Sequence, residues 1–95
     1  MEVAKAVHEA TLKLGKEVVR VRYNIGADFT GDPAIFFRIV LTDAASRRAT
    51  LGDVTGRITT TLDDEIRPYQ KWGLFPYFSF RSNSEQATRD EPGWS

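Results

Sequence analysis

The middle of the chain carries a short apolar segment with turn-forming residues on both sides. Residues 34–41 (AIFFRIVL) are aliphatic and aromatic, and they are bounded by 31–33 (GDP) and 42–43 (TD). This pattern is typical of a buried strand rather than a helix. The preceding segment, EVVRVRYNI, alternates polar and apolar residues with a period of two. We therefore predict two successive strands, over 17–25 and 34–42.

The N-terminal residues have a helical period. Apolar residues recur there at steps of three and four, at Val3, Val7, Ala10 and Leu14. Such spacing places them on one face of a helix, which we predict over 2–14.

A longer helical pattern follows the second strand. Apolar residues recur at the same steps, at Leu51, Val54, Ile58, Leu62 and Ile66. They predict a helix over 44–67 that Pro68 ends or kinks. Asp43 and Thr50 are alternative caps for its first turn.

A third strand is predicted over 74–82 (LFPYFSFRS), with Phe78 and Phe80 pointing towards the core. From residue 83 the chain becomes polar, and we expect 83–95 to form a flexible tail beyond a single domain of residues 1–82.

The element order is α-β-β-α-β. A right-handed crossover through the long helix makes the third strand parallel to the second, and both helices then cover the same sheet face. The predicted fold is a two-layer α+β sandwich with a three-stranded mixed sheet. Whether the third strand pairs with the first or the second is open.

The sheet face opposite the helices is the main candidate site. The alternation of the strands places six candidate partner-binding residues there, Arg20, Arg22, Phe36, Arg38, Tyr77 and Arg81, with Asn24 beside them. Arginines between aromatic rings suit three interpretations: a solvated or self-associating face, a protein interface, or a surface that binds single-stranded nucleic acid weakly. Val18 and Val40 are predicted on the same face, and this apolar surface favours a homodimer, formed sheet to sheet or edge to edge.

Composition limits the classes of function. Thirteen basic and thirteen acidic residues cancel, so net charge does not favour nucleic acid or anionic membrane. The chain has no cysteine, which excludes thiolate chemistry and disulfides. We see no apolar segment of membrane-spanning length and no signal-peptide pattern, so we expect a cytoplasmic protein that does not contact a membrane.

The loop between the first two strands, GADFTGDP, is the second candidate site. Asp28 and Asp32, with Asp43 at the far end of the second strand, are oxygen donors that a divalent cation would accept. Gly26 and Ala27 after the first strand give the segment a resemblance to the glycine turn of minimal nucleotidyltransferases, the antitoxin partners in bacterial toxin–antitoxin pairs. Ala27 replaces the serine of that turn, and the next strand lacks the paired aspartates. The resemblance therefore implies a relative without the catalytic metal site.

No set of side chains in the sequence has the pattern of a catalytic site. His8 is the only histidine, and no phosphate-binding or nucleophile motif is present. We expect no cofactor and no metal. The leading hypothesis is a small non-enzymatic accessory protein that binds a macromolecular partner, a protein or a second copy of itself, through the open sheet face. The alternative is a degenerate nucleotidyltransferase-like antitoxin, or a residual nucleotide-binding protein, that uses the loop at 26–33.

Overall fold

The computed structural model describes residues 2–89 and contains seven elements in this range. In chain order they are α1 (Glu2–Leu12), β1 (Val18–Ala27), β2 (Pro33–Leu41), α2 (Arg48–Ile66), α3 (Pro68–Trp72), β3 (Phe75–Ser82) and α4 (Asn83–Arg89). The predicted α-β-β-α-β order and the α+β class are confirmed, with two short helices added. None of the helices within residues 2–89 has the length and apolar character needed to cross a bilayer.

The sheet has the strand order β1-β2-β3. β1 and β2 are antiparallel, and β2 and β3 are parallel, as the crossover rule predicts. The structure settles the open pairing by placing β2 in the centre. β2 is the most apolar strand, and in the centre it is shielded by a neighbour on each side.

The core lies between the sheet and the two long helices. α2 buries Val54, Ile58, Leu62 and Ile66, and α1 buries Val3, Val7 and Ala10. Both sets pack against the inward residues of β2, which are Ile35, Phe37, Ile39 and Leu41. Phe37 stacks on Phe78 of β3 with ring centroids 5.2 Å apart. The predicted packing of both helices on one face is therefore confirmed.

A bulge near the start of β1 changes which residues face the core. The pairing register with β2 shifts between Val18 and Arg20. As a result Val18 packs against the core, whereas Val19 is 41% exposed. The prediction that Val18 lies on the open face is wrong, because it assumed an uninterrupted period of two along β1. Near the other end of β1, Ile25 lies opposite the core residue Ile35 but is 43% exposed.

The ends of α2 also differ from the prediction. The helix begins at Arg48, after turns at 43–46, and its N-cap Arg47 makes no side-chain capping bond. Neither predicted cap is used: Thr50 donates its hydroxyl back to the carbonyl of Arg47. At the other end Arg67 has φ 50° and ψ 57°. Pro68 disfavours the right-handed helical conformation at that residue, which confirms the predicted break.

The segment predicted as a polar tail begins with a helix. Ser82 and Glu85 form a capping box: the Glu85 amide donates to the Ser82 hydroxyl oxygen at 3.1 Å, and the Ser82 amide donates to the Glu85 carboxylate at 3.2 Å. α4 then packs on the sheet face opposite α1 and α2, where Gln86 is buried. The expected tail over 83–95 thus includes an ordered helix to Arg89, and residues 90–95 lie outside the described residues.

The central position of β2 gives a stability test. Ile39 is fully buried on β2, whereas Ile25, on the same side of the sheet, is 43% exposed. We expect Ile39→Ala to lower the free energy of unfolding by about 2–5 kcal/mol and Ile25→Ala by about 1 kcal/mol or less. Urea denaturation of both variants provides the measurement. Equal losses would contradict the assignment of β2 as the buried central strand.

Candidate interaction surface

The sheet face opposite α1 and α2 collects most of the predicted site residues. Within the β1–β2 ladder, Arg22 lies directly opposite Arg38, and Asn24 lies opposite Phe36. Within the β2–β3 ladder, Phe36 lies opposite Tyr77. The pairing therefore brings side chains from all three strands into one patch, as the alternation predicts.

Aromatic rings form the centre of this patch. The rings of Phe36 and Tyr77 stack with centroids 5.4 Å apart and an interplanar angle of 18°. Phe75 lies two residues before Tyr77 on β3, and its ring packs against Tyr69 of α3 at 4.8 Å. We call these four residues the aromatic row. Three of them remain substantially exposed, Tyr77 at 37%, Phe75 at 40% and Tyr69 at 54%.

Two members of the aromatic row, Phe75 and Tyr69, were not among the residues predicted from the sequence for this face. Phe75 has the same parity as Tyr77 along the strand, so the period of two was a sufficient signal for it. Tyr69 had no such signal. It reaches Phe75 because α3 turns back beside the start of β3, with Gly73 at φ 65° ending the helix.

Two of the residues predicted to be open on this face are buried instead. Arg81 is 9% exposed, and its guanidinium donates to the side-chain oxygen of Gln86 at 3.2 Å. Val40 lies opposite Arg81 in the ladder and is fully buried. The cause is α4, which covers this end of the face and which the sequence analysis had not predicted.

The remaining arginines lie nearer the middle of the face. Arg20 and Arg38 are half-buried, and Arg22 is exposed. We call Arg22 and Arg38 the arginine pair, because the register sets their two side chains opposite one another across adjacent strands. Neighbouring guanidinium groups attract a carboxylate or a phosphate and match its geometry.

The loop between β1 and β2 is ordered by its own side chains. One carboxylate oxygen of Asp28 accepts hydrogen bonds from the Thr30 amide at 2.9 Å, the Thr30 hydroxyl at 2.7 Å and the Asp32 amide at 3.0 Å. The Asp28 amide donates to the Asp32 carbonyl, and the Gly31 amide to the Asp28 carbonyl. Gly31 has φ +88°, which favours glycine at this point of the turn.

These hydrogen bonds occupy backbone amides that a nucleotide site in the loop would need. A phosphate cradle needs several backbone amides directed at the ligand, but the amides of residues 28, 30, 31 and 32 all donate within the loop. Gly26 belongs to β1, and a Cβ there would only reach ordinary contact with Phe36 at 4.0 Å.

The three aspartates suggested as cation ligands do not come together. Asp43 lies beyond the opposite end of β2 from the loop. Its carboxylate accepts hydrogen bonds from the Ser84 amide, at 2.9 Å, and from the Ser84 hydroxyl, which ties the end of β2 to α4. Residues 2–89 contain no group of three or more acidic or histidine side chains placed to hold a metal ion.

One contact joins the loop to the sheet face. The Tyr77 hydroxyl donates to the second carboxylate oxygen of Asp28 at 2.8 Å. The Thr30 hydroxyl is the main cause that holds the pKa of Asp28 at about 2, and the Tyr77 hydroxyl adds to it. The same contact raises the pKa of Tyr77 above its usual value. Asp28 therefore fixes the position of an aromatic side chain on the face, a role that the sequence analysis did not predict.

Comparison of the chain with family models, with curated proteins and with solved structures finds no match. No relative therefore indicates a ligand or a partner for this surface. The patch is interpreted from its own chemistry, which consists of an aromatic row, an arginine pair and a rigid acidic loop at one end.

The Asp28 network predicts an ordered series of pKa shifts. Removal of the strongest hydrogen-bond donor by Thr30→Val raises the pKa of Asp28 from about 2 towards 3.8. Tyr77→Phe raises it less, because that hydroxyl contributes less. Carboxyl-carbon chemical shifts followed by NMR over an acid titration measure both values. A larger rise in Tyr77→Phe than in Thr30→Val would contradict the network.

The same shift predicts how stability depends on pH. The folded pKa of Asp28 lies below its unfolded value, so its contribution is complete above about pH 4 and is lost as the pH falls through about 2. Asp28→Asn removes this contribution. We expect the difference in unfolding free energy between wild type and Asp28→Asn to shrink over that pH range, as measured by urea denaturation. A constant difference would show that the carboxylate carries no folding-linked shift.

Proposed function

We propose that this protein is a non-enzymatic interaction module that binds a protein partner through the open sheet face. The observation that carries the proposal is the aromatic row beside the arginine pair on a sheet face that α4 covers only at one end. Tyrosine, phenylalanine and arginine are the residues enriched at the centres of protein interfaces.

The packing of the rings favours a protein partner over nucleic acid. Bases bind aromatic side chains by stacking on an open ring face. In this row Phe36 and Tyr77 each use a ring face on the other, and Tyr69 and Phe75 contact one another in a tilted pair. The burial of Arg81 further lowers the number of arginines that can meet phosphates.

The arginine pair indicates the chemistry of the partner segment. A carboxylate placed between Arg22 and Arg38 would receive hydrogen bonds from both guanidinium groups, while apolar side chains of the same segment cover the aromatic row. The partner is therefore an acidic segment that also carries apolar residues. We propose a cytoplasmic location for this complex, in keeping with the sequence.

A capture experiment with the native host lysate tests the proposal. Immobilised wild type is compared with Arg22→Glu/Arg38→Glu and with Tyr77→Ala, and bound protein and RNA are both analysed. We expect one protein species to be retained by wild type and reduced at least tenfold by each of these variants, since hot-spot residues cost about 2 kcal/mol or more when removed.

Two matched variants serve as controls. Lys5→Glu/Arg47→Glu makes the same change of charge away from the face, and Phe29→Ala removes an aromatic ring that is 93% exposed at the loop tip. Both should retain the partner. Loss of the partner in the controls as well, or its retention by Arg22→Glu/Arg38→Glu, would contradict the proposal.

The alternative function, nucleotide binding by the loop at 26–33, has a separate test. Asp32→Ala alters the loop without touching the Tyr77 contact of Asp28. Under the alternative, this variant would lose binding and Arg22→Glu/Arg38→Glu would keep it. This outcome has no support in the loop geometry, because the loop amides already donate hydrogen bonds within the loop.

Binding of single-stranded nucleic acid is a further outcome of the test, and its salt dependence and affinity would identify it. With Arg81 buried, Arg20, Arg22 and Arg38 can neutralise three phosphates at most. The slope of log affinity against log salt for a single strand is then about −2 or shallower, and affinity at physiological salt is no tighter than roughly 10⁻⁴ to 10⁻⁶ M. Titration of a fluorescent single-stranded RNA at three salt concentrations measures both. Submicromolar binding at physiological salt would overturn the choice of a protein partner.

A further inference from the structure

We propose that a second copy of this chain docks on the outer edge of β3, so that two sheets join across a twofold axis. This interface is separate from the open sheet face, and its test does not depend on the proposed function. Three observations support it: the chemistry of the β3 edge, the shape of the α2 surface beside that edge, and charges on α2 that match those of a second, antiparallel copy.

Apart from Pro76 near its start, β3 from Phe75 to Phe80 lacks the features that normally protect a strand edge. Within residues 2–89 no strand pairs with it, since β3 is the last strand in the order β1-β2-β3. The sequence from Phe75 to Phe80 carries no charged residue. Such an edge is a template for another strand. Pro76 cannot donate a hydrogen bond, which leaves Tyr77–Arg81 for the ladder.

The other edge of the sheet is protected. β1 has its bulge at Val18–Arg20, and Arg22 lies in the middle of the strand. Bulges and charged side chains both disfavour pairing with a further strand. The contrast between the two edges selects β3 as the place for a second copy.

α2 forms a groove beside this edge. The groove has a volume of about 850 Å³, and Phe78 and Phe80 form its strand side. Its helix side begins with Arg48 and Leu51 and otherwise consists of glycines and threonines, which are Gly52, Thr55, Gly56, Thr59 and Thr60. A helix with so few large side chains on one face permits the close approach of another helix.

Neither a close contact nor a positive φ within one copy requires glycine at positions 52 and 56. A Cβ at Gly52 or Gly56 would meet nothing within 4 Å, and neither residue has a positive φ. Glycine in the interior of a helix nevertheless disfavours folding relative to alanine. A second helix lying against this face gives the glycines a role, because it would occupy the space that their missing side chains leave.

Charges along the same face complement an antiparallel copy of it. Asp63 is exposed one turn after Thr59, so the face begins with a positive residue and ends with a negative one. When two such helices pack antiparallel about a midpoint between Thr55 and Gly56, Arg48 of each copy meets Asp63 of the other. The same midpoint sets Gly52 against Thr59. The face is therefore self-complementary in charge and in size.

The strand and the helix share this twofold axis. Leu51 of α2 lies beside Phe80, where both line one small cavity. The helix midpoint lies about 7 Å along α2 from Leu51, at a rise of 1.5 Å per residue. The same displacement along β3, starting from Phe80, corresponds to about two residues. The position reached on β3 is Phe78, near the middle of that strand, so that an antiparallel ladder pairs Phe78 of one copy with Phe78 of the other. An antiparallel β3–β3 ladder about this point and the α2–α2 contact are thus compatible.

Reciprocal charge reversal tests the interface. We expect wild type to sediment as a dimer at 100 μM, and Arg48→Asp and Asp63→Arg each to weaken dimerisation at least tenfold, because each sets like charges against one another. The double variant Arg48→Asp/Asp63→Arg restores opposite charges and should restore the dimer. Asp64→Arg makes the same change of charge one residue away and should leave dimerisation unaltered.

Two further measurements locate the interface and separate it from misfolding. Gly56→Gln should give a monomer with an unchanged circular dichroism spectrum and an equal or higher melting temperature, because glutamine is the better helix former. Within residues 77–81, hydrogen exchange at the alternate amides that point to the free edge should slow with increasing wild-type concentration, because only these can bond to a second copy. A monomeric wild type at 100 μM, a double variant that fails to recover, or β3 amides that do not respond to concentration would each overturn the proposal.

Discussion

Strand β2 has apolar residues on both of its faces, and the rest of the structure depends on covering them. Ile35, Phe37, Ile39 and Leu41 point to one side, and Ala34, Phe36 and Val40 to the other. A strand of this kind is stable only as a central strand between two layers. α1 and α2 provide the first layer with their apolar faces. The second layer is incomplete, since α4 covers Val40 and the aromatic row lies around Phe36.

The incomplete second layer determines where a partner can bind. α4 buries one end of the face and removes Arg81 from it by giving that side chain a hydrogen bond to Gln86. At the other end the Asp28 loop holds Tyr77 in place. What remains between the two is a strip of rings and arginines of limited size. Its rings are fixed by mutual contacts, so binding a partner there costs little side-chain entropy.

The two proposed surfaces are compatible within one molecule. The β3 edge lies beside the open face, and Tyr77 belongs to both the edge strand and the aromatic row. Joining two copies along β3 would place their open faces side by side on one continuous sheet. A dimeric partner, or a partner with a repeated acidic segment, would then bind with increased avidity.

The sequence alone determined the elements with a strong local period. The α-β-β-α-β order and the parallel third strand follow from apolar spacing and from the handedness of crossovers, which are local or nearly universal rules. The position of the arginine pair on the open face follows from the same alternation.

Tertiary structure decided the rest, because those features depend on contacts between distant residues. The bulge between Val18 and Arg20 brings Val18 to the core side through the register with β2, which no period in β1 reveals. The burial of Arg81 requires α4, a helix whose capping box is visible in the sequence but whose position depends on the exposed apolar surface of β2. Asp28 and Tyr77 are far apart in the chain, and only the parallel placement of β3 beside β2 brings the hydroxyl to the carboxylate. Local patterns record which face of an element is apolar, whereas the packing of elements decides which part of that face stays in contact with water.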